Sequence, residues 1–152
     1  MLTSFYLGQN YKNRIIKQYK FFNYLKRFTN YLKANINLFK INIINIIDEF
    51  KINNDEKNAN YSEIFIKNGE IYDISRENIE KIGLTSDDNI IIYNYLKALG
   101  TNEYYYEENK NNSFITYLDR KLEEYSNYIK TKGELTLKIA LAIGCVISII
   151  IW

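Results

Sequence analysis

Residues 135–152 read LTLKIALAIGCVISIIIW, and the fourteen residues from Ile139 to Trp152 carry no formal charge. A helix rises ~1.5 Å per residue, so that run reaches about 21 Å, against a hydrocarbon core of about 30 Å. Counting from Leu135, and letting Lys138 extend its ammonium toward the headgroups, brings the run close to a full span. Trp152 suits an interfacial anchor. Gly144, Cys145 and Ser148 keep one face small, where a neighbouring helix can approach closely. The stretch predicts a C-terminal membrane anchor over 134–152. Its competitor is a terminal helix buried in a soluble core, and the shortness of the run favours that competitor.

Outside this tail the composition points to helices. The chain of 152 residues has no proline and only six glycines. Helices can therefore run long, and a turn-rich β sandwich is not expected. The chain contains no histidine, which removes the commonest general base and metal ligand. Its single cysteine, Cys145, allows no disulfide framework and no thiolate metal site. No phosphate loop, dinucleotide fingerprint, nucleophile elbow or zinc spacing is present. We expect no enzyme, no catalytic residues, no cofactor and no metal.

Charge is unevenly placed. Residues 1–47 hold eight basic residues and no acid, whereas 48–152 hold twelve basic and eighteen acidic residues. A basic half beside an anchor fits the cytoplasmic face of a membrane. Pairing with the acidic half of the same or a neighbouring chain fits equally well.

Residues 1–10 are uncharged and too short to span alone, and read as the end of a longer apolar segment. From 11 to 50 the spacing is helical: Leu25, Phe28, Leu32, Ile36, Phe39, Ile43, Ile46 and Phe50 step by three or four. A break is expected near Asn35 and Asn37. Lys26, Lys33 and Lys40 repeat every seven residues and form a basic stripe, read as a membrane or partner surface or as a solvated face. Residues 53–60 read as a polar loop. Asn60 with Glu63 suggests a capped short helix over 61–67 that leaves at Gly69. Ser75 caps a second short helix closed by Gly83, and Thr85 or Ser86 caps a third. Asp87 and Asp88 in the third helix's first turn read as capping carboxylates rather than a metal or acid–base pair. The run IIIYNYLKAL makes that helix central, and Gly100 ends it. Residues 101–132 form an amphipathic helix with Ile115, Leu118, Leu122, Tyr125 and Ile129 at coiled-coil spacing, packed on the first helix, with a hinge at Gly133.

Several of these stretches together resemble the stage III sporulation protein AB family. FYLGQNYKNR at 5–14, which includes Arg14, is similar to the exit from that family's N-terminal membrane helix. Residues 28–47 are similar to its helix, turn and second helix. LTSDDNIIIYNYLKALGTNE at 84–103 is similar to its helix ending in a Leu-Gly-x-Ser-Asp motif. Leu99, Gly100 and Glu103 stand at motif positions, with Asn102 and Glu103 in place of Ser and Asp and Glu107 in place of a usual Gln. The family's first membrane helix and two usual prolines are missing. The resemblance implies a part of the apparatus linking mother cell and forespore. It also implies an all-α cytoplasmic domain similar to that of type II secretion platform protein F. Implied partners are the other sporulation channel proteins, including a secretion-type ATPase.

The expectation is an all-α bundle of about five to six helices over 11–133 with a short C-terminal transmembrane helix. It acts as a scaffold in the mother-cell membrane around the forespore. The anchor residues are Lys138, Ile139, Gly144 and Trp152. The membrane is a partner, nucleic acid is not, and self-association is left open. The alternative is a soluble basic helical binding module, nucleic-acid-associated or antitoxin-like.

Overall fold

Leu25, Phe28 and Leu32 recur at helical spacing, and all three are fully buried on one side of helix α1, Leu2–Phe39. Phe21, Phe22 and Tyr24 widen that side into a broad aromatic face. In chain order the computed structural model continues with α2 (Ile43–Ser62), strands β1 (Phe65–Asn68) and β2 (Ile71–Ile74), α3 (Arg76–Glu80), α4 (Ser86–Lys97) and α5 (Tyr104–Ile150). It describes the backbone of residues 2–39, 43–69, 71–100 and 104–150, and side chains over 12–35, 43–53, 61–69, 71–100 and 106–132.

The apolar stripe read as one helix is divided between two. Ile46 and Phe50 are buried on α2, which packs back on α1. The break expected near Asn35 and Asn37 falls a few residues later: α1 runs through both to Phe39, with Asn35 Nδ2 donating to the Tyr31 carbonyl 2.8 Å away, and α2 begins at Ile43. Ile36 and Phe39 lie outside the described side chains. Ring contacts tie the two helices together: Phe28 to Phe50 at 5.2 Å, Tyr24 to Phe50 at 5.4 Å and Tyr24 to Tyr61 at 5.7 Å. Each such pair adds roughly 0.5–1.5 kcal/mol beyond its burial.

Residues 53–60, expected to be a loop, are helical and belong to α2. Glu, Lys and Ala are good helix formers, and no glycine or proline interrupts the run. The helix expected over 61–67 is replaced by the end of α2 and a β-hairpin, so the class is all-α except for two short strands. The strands pair antiparallel, with Phe65 opposite Ile74 and Asn68 opposite Ile71. That register leaves a two-residue turn beginning at Gly69, whose φ of 65° meets the positive value a primed hairpin turn requires. Phe65 and Ile74 point into the core. The next pair on the same face, Lys67 and Tyr72, reaches Asp48 of α2. Those two hydrogen bonds, Lys67 first, hold the Asp48 carboxyl below its usual range.

Ser75 caps α3 by accepting from the Asn78 N–H at 3.2 Å, and Thr85 caps α4 by accepting from the Asp88 N–H at 3.2 Å. Both caps match the sequence reading. Helix α4 is less central than expected. Ile92, Tyr95 and Leu96 are buried, but Ile90 and Ile91 are 46% and 42% exposed.

Helix α5 lies along α1 in the opposite direction. Phe22 meets Tyr125 at 5.4 Å, Lys26 pairs with Asp119 at 2.6 Å and Lys33 donates to Asn112 at 2.7 Å. Leu118 of the predicted seam is fully buried, and Ile115, Leu122, Tyr125 and Ile129 are half-buried. No hinge forms at Gly133, because the helical backbone passes through it to Ile150. Among the described residues no helix is long and apolar enough to cross a membrane. The side chains of 133–152, including Lys138, Ile139, Gly144 and Trp152, lie outside those residues.

Candidate functional site

Two polar arrangements join the minor elements to the α1–α5 pair. The first begins on α1. Arg14 Nη2 donates to the Gly83 carbonyl at 2.6 Å, Gln18 Nε2 donates to the same oxygen, and Lys17 Nζ donates to the Lys81 carbonyl at 3.0 Å. These carbonyls close α3, where helix amides can no longer reach them and cations are favoured. Gly83 has φ of 80°, and a Cβ there would stand 3.2 Å from Arg14 Nε. Between Arg14, Gln18, Leu84, Thr85 and Tyr125 lies a shallow depression of about 240 Å³.

The second arrangement centres on Asp88. This side chain is only 2% exposed. Tyr117 Oη donates to its Oδ1 at 2.5 Å, and Lys121 Nζ stands 3.0 Å from the same atom. Burial opposes the charged carboxylate, yet the hydrogen bonds from Tyr117, Thr85 and Lys121 outweigh it and leave the Asp88 carboxyl below its usual range. Burial, then the bond to Asp88, pushes the Tyr117 phenol far up. Stacking continues the group, with Phe114 against Tyr95 at 3.6 Å and against Tyr117 at 5.7 Å. One turn further along, Tyr95 Oη donates to Asn111 Oδ1 at 2.7 Å, and Lys110 donates to the Ala98 carbonyl at the end of α4. Lys110 stands 3.8 Å from the buried Glu107, and burial lowers the Lys110 ammonium from its ordinary value.

A capping carboxylate was the expectation for Asp88, but the Thr85 hydroxyl makes the cap and Asp88 contributes only its N–H, its carboxylate turning instead to Tyr117 and Lys121. The buried ion pair was missed. Tyr117 and Lys121 are one turn apart on α5, and with Phe114 they make a second helical stripe beside the one through Leu118 and Tyr125. That spacing was the available signal.

The sequence-predicted residues fall in different places. Arg14 holds the α3 exit. Leu99 is half-buried against the core, and Gly100 has φ of 74°, with space for a Cβ closed by Ile43 Cγ2 at 3.2 Å. These two motif residues therefore turn the chain where α4 meets the start of α2. Lys26 and Lys33 are engaged with Asp119 and Asn112 on α5, and the structure does not bring them to Arg14 or Gly100. Glu103 and Lys40 lie outside the described residues. Among the described residues no group of three or more His, Cys, Asp or Glu is placed to hold a metal ion.

Neither a curated protein nor a solved structure matches the chain. A family model does, over residues 1–152 and thus the whole chain, and its description is stage III sporulation protein AB. With that match spanning the α1–α5 pair, the Arg14 clamp and the Gly100 corner alike, the chain belongs to the stage III sporulation protein AB family and has its role in stage III of sporulation.

Proposed function

We propose that this protein is a membrane-anchored, non-catalytic scaffold. In this reading its helical bundle presents sporulation channel proteins, the implied secretion-type ATPase among them, with a surface on the mother-cell side of the membrane. One observation carries the reading. Helix α5 starts inside the bundle, buries Phe114 and Leu118, and continues unbroken to Ile150. The part from residue 133 onward measures roughly 27 Å at ~1.5 Å per residue, close to a hydrocarbon core of about 30 Å. Because α1 runs antiparallel to α5, the uncharged stretch 2–10 starts from the same end of the bundle. Two uncharged stretches at one end of the bundle, 2–10 and the run from Ile139, support a lipid-facing end.

Membranes from cells producing the full chain, washed with high salt and then alkaline carbonate, test the anchor. Retention through both washes is expected, and release by either counts against integral insertion. Removal of 139–152 is expected to leave a folded, soluble bundle. Unfolding on that deletion indicates that the tail belongs to a protein core.

A further inference from the structure

We infer that the end of the bundle from which the tail departs is a docking surface for anionic phospholipid headgroups, formed by Lys12, Arg14 and Lys17 of α1 with Lys130 and Lys132 of α5. The inference rests on the membrane reading above. The pairings of Lys26 with Asp119 and Lys33 with Asn112 set the level of the two helices, and by that register residues 12–17 stand beside 128–133. Across 12–17 and 127–132 there are these five cations and no carboxylate. All five side chains are exposed. Arg14 and Lys17 each spend a donor on the carbonyls of Gly83 and Lys81, which fixes their heads at the end of α3, and both side chains carry further N–H groups.

The nearby acids do not cancel this field. On α3, Glu77 pairs with Lys81 at 2.7 Å and Glu80 with Arg76 at 3.0 Å. Asp87 is exposed past the α4 cap, and Glu134 is offset in the sequence by Lys138. Along the helix axis the five cations precede Ile139 by roughly 9–17 Å at ~1.5 Å per residue. A polar headgroup layer of about 5–8 Å and a screening length of ~8 Å bring most of them within reach of lipid phosphates. Lysines at the far end of the bundle, such as Lys97 and Lys110 beside the end of α4, are beyond it.

The test is competition. The full chain is synthesised in a cell-free system with two vesicle populations present together, one of phosphatidylcholine and one containing phosphatidylglycerol, made separable by density. The ratio recovered on the two populations reads headgroup preference, and carbonate resistance of the bound protein reads the anchor separately. At low salt the native chain is expected on the anionic vesicles, with a preference that falls at high salt. With about fivefold per cation, K12Q/K132Q lowers that ratio roughly 25-fold, whereas K97Q leaves it unchanged. A ratio near one for the native chain, or an unchanged ratio in the double variant, overturns the inference even if carbonate resistance persists. Carbonate release with the anionic preference intact supports the docking surface and removes the integral anchor.

Discussion

Replacing Asp88 with alanine tests how α4 is fastened to α5. Asp88 is 2% exposed, so its charge is stabilised by neighbours and not by water. The substitution takes the acceptor from Tyr117 and the nearest counter-charge from Lys121, whose side chain is 18% exposed. Breaking a buried ion pair from one side costs about 3–5 kcal/mol. Lys121 retains Glu124 at 3.6 Å and some access to water, which places the expected loss near the low end, about 3 kcal/mol. For a chain of this size each kcal/mol moves Tm by roughly 2–4 °C, so a fall of about 6–12 °C is expected. Asp88→Asn keeps the volume and an acceptor for Tyr117, and should cost less, about 1–2 kcal/mol. Urea unfolding followed by circular dichroism gives these values, and a cycle with Tyr117→Phe should show coupling above about 0.5 kcal/mol. The acid limb gives an independent check. A carboxyl lowered in the fold contributes stability that is complete above its unfolded value of about 3.9 and is lost as pH falls through the lowered folded value. Native and Asp88→Asn stabilities should therefore differ near neutral pH and converge in acid. A loss from Asp88→Ala within about 0.5 kcal/mol, the range of ordinary surface substitutions, would refute the argument.

Phe28 is fully buried between Phe50 at 5.2 Å and Phe65 at 4.9 Å, so Phe28→Ala should cost about 3–5 kcal/mol in the same unfolding assay. Gly100→Ala combines a left-handed backbone with a Cβ 3.2 Å from Ile43, and a loss of at least about 1–2 kcal/mol is expected. Lys26→Ala breaks a pair whose side chains are 35% and 50% exposed, so a change below about 1 kcal/mol that shrinks further in high salt should be measured.

The helices were legible because their signals are local and repeated. Leu25, Phe28 and Leu32 state a period, and Ser75 and Thr85 each satisfy an amide three residues on. The hairpin was not legible, because four residues are too few to distinguish alternation from a helical turn. Asn68–Gly69 is a hairpin signal, but Gly69 also fits a helix exit, and the Asn60–Glu63 pair favoured that choice. Only the burial of Phe65 and Ile74 against α1 and α2 decides between them. The ion pair at Asp88 was hidden for a different reason. A carboxylate in the first turn of a helix already has a local explanation in the dipole, while the partners it actually takes, Tyr117 and Lys121, come from a helix that the chain reaches only after another turn.

The same distinction separates the two kinds of polar contact in the bundle. Lys26 with Asp119 and Lys33 with Asn112 are partly exposed, so they set register along the seam with little net stabilisation. Asp88 with Lys121 is desolvated, and a displaced α4 would leave a charge buried without its partner. Aromatic packing tolerates small slides, since offset and tilted rings are close in energy. A buried charge does not. The orientation of α4 on α5, and through the Gly100 corner the position of α2, is therefore held more sharply by one carboxylate than by the larger aromatic area around it.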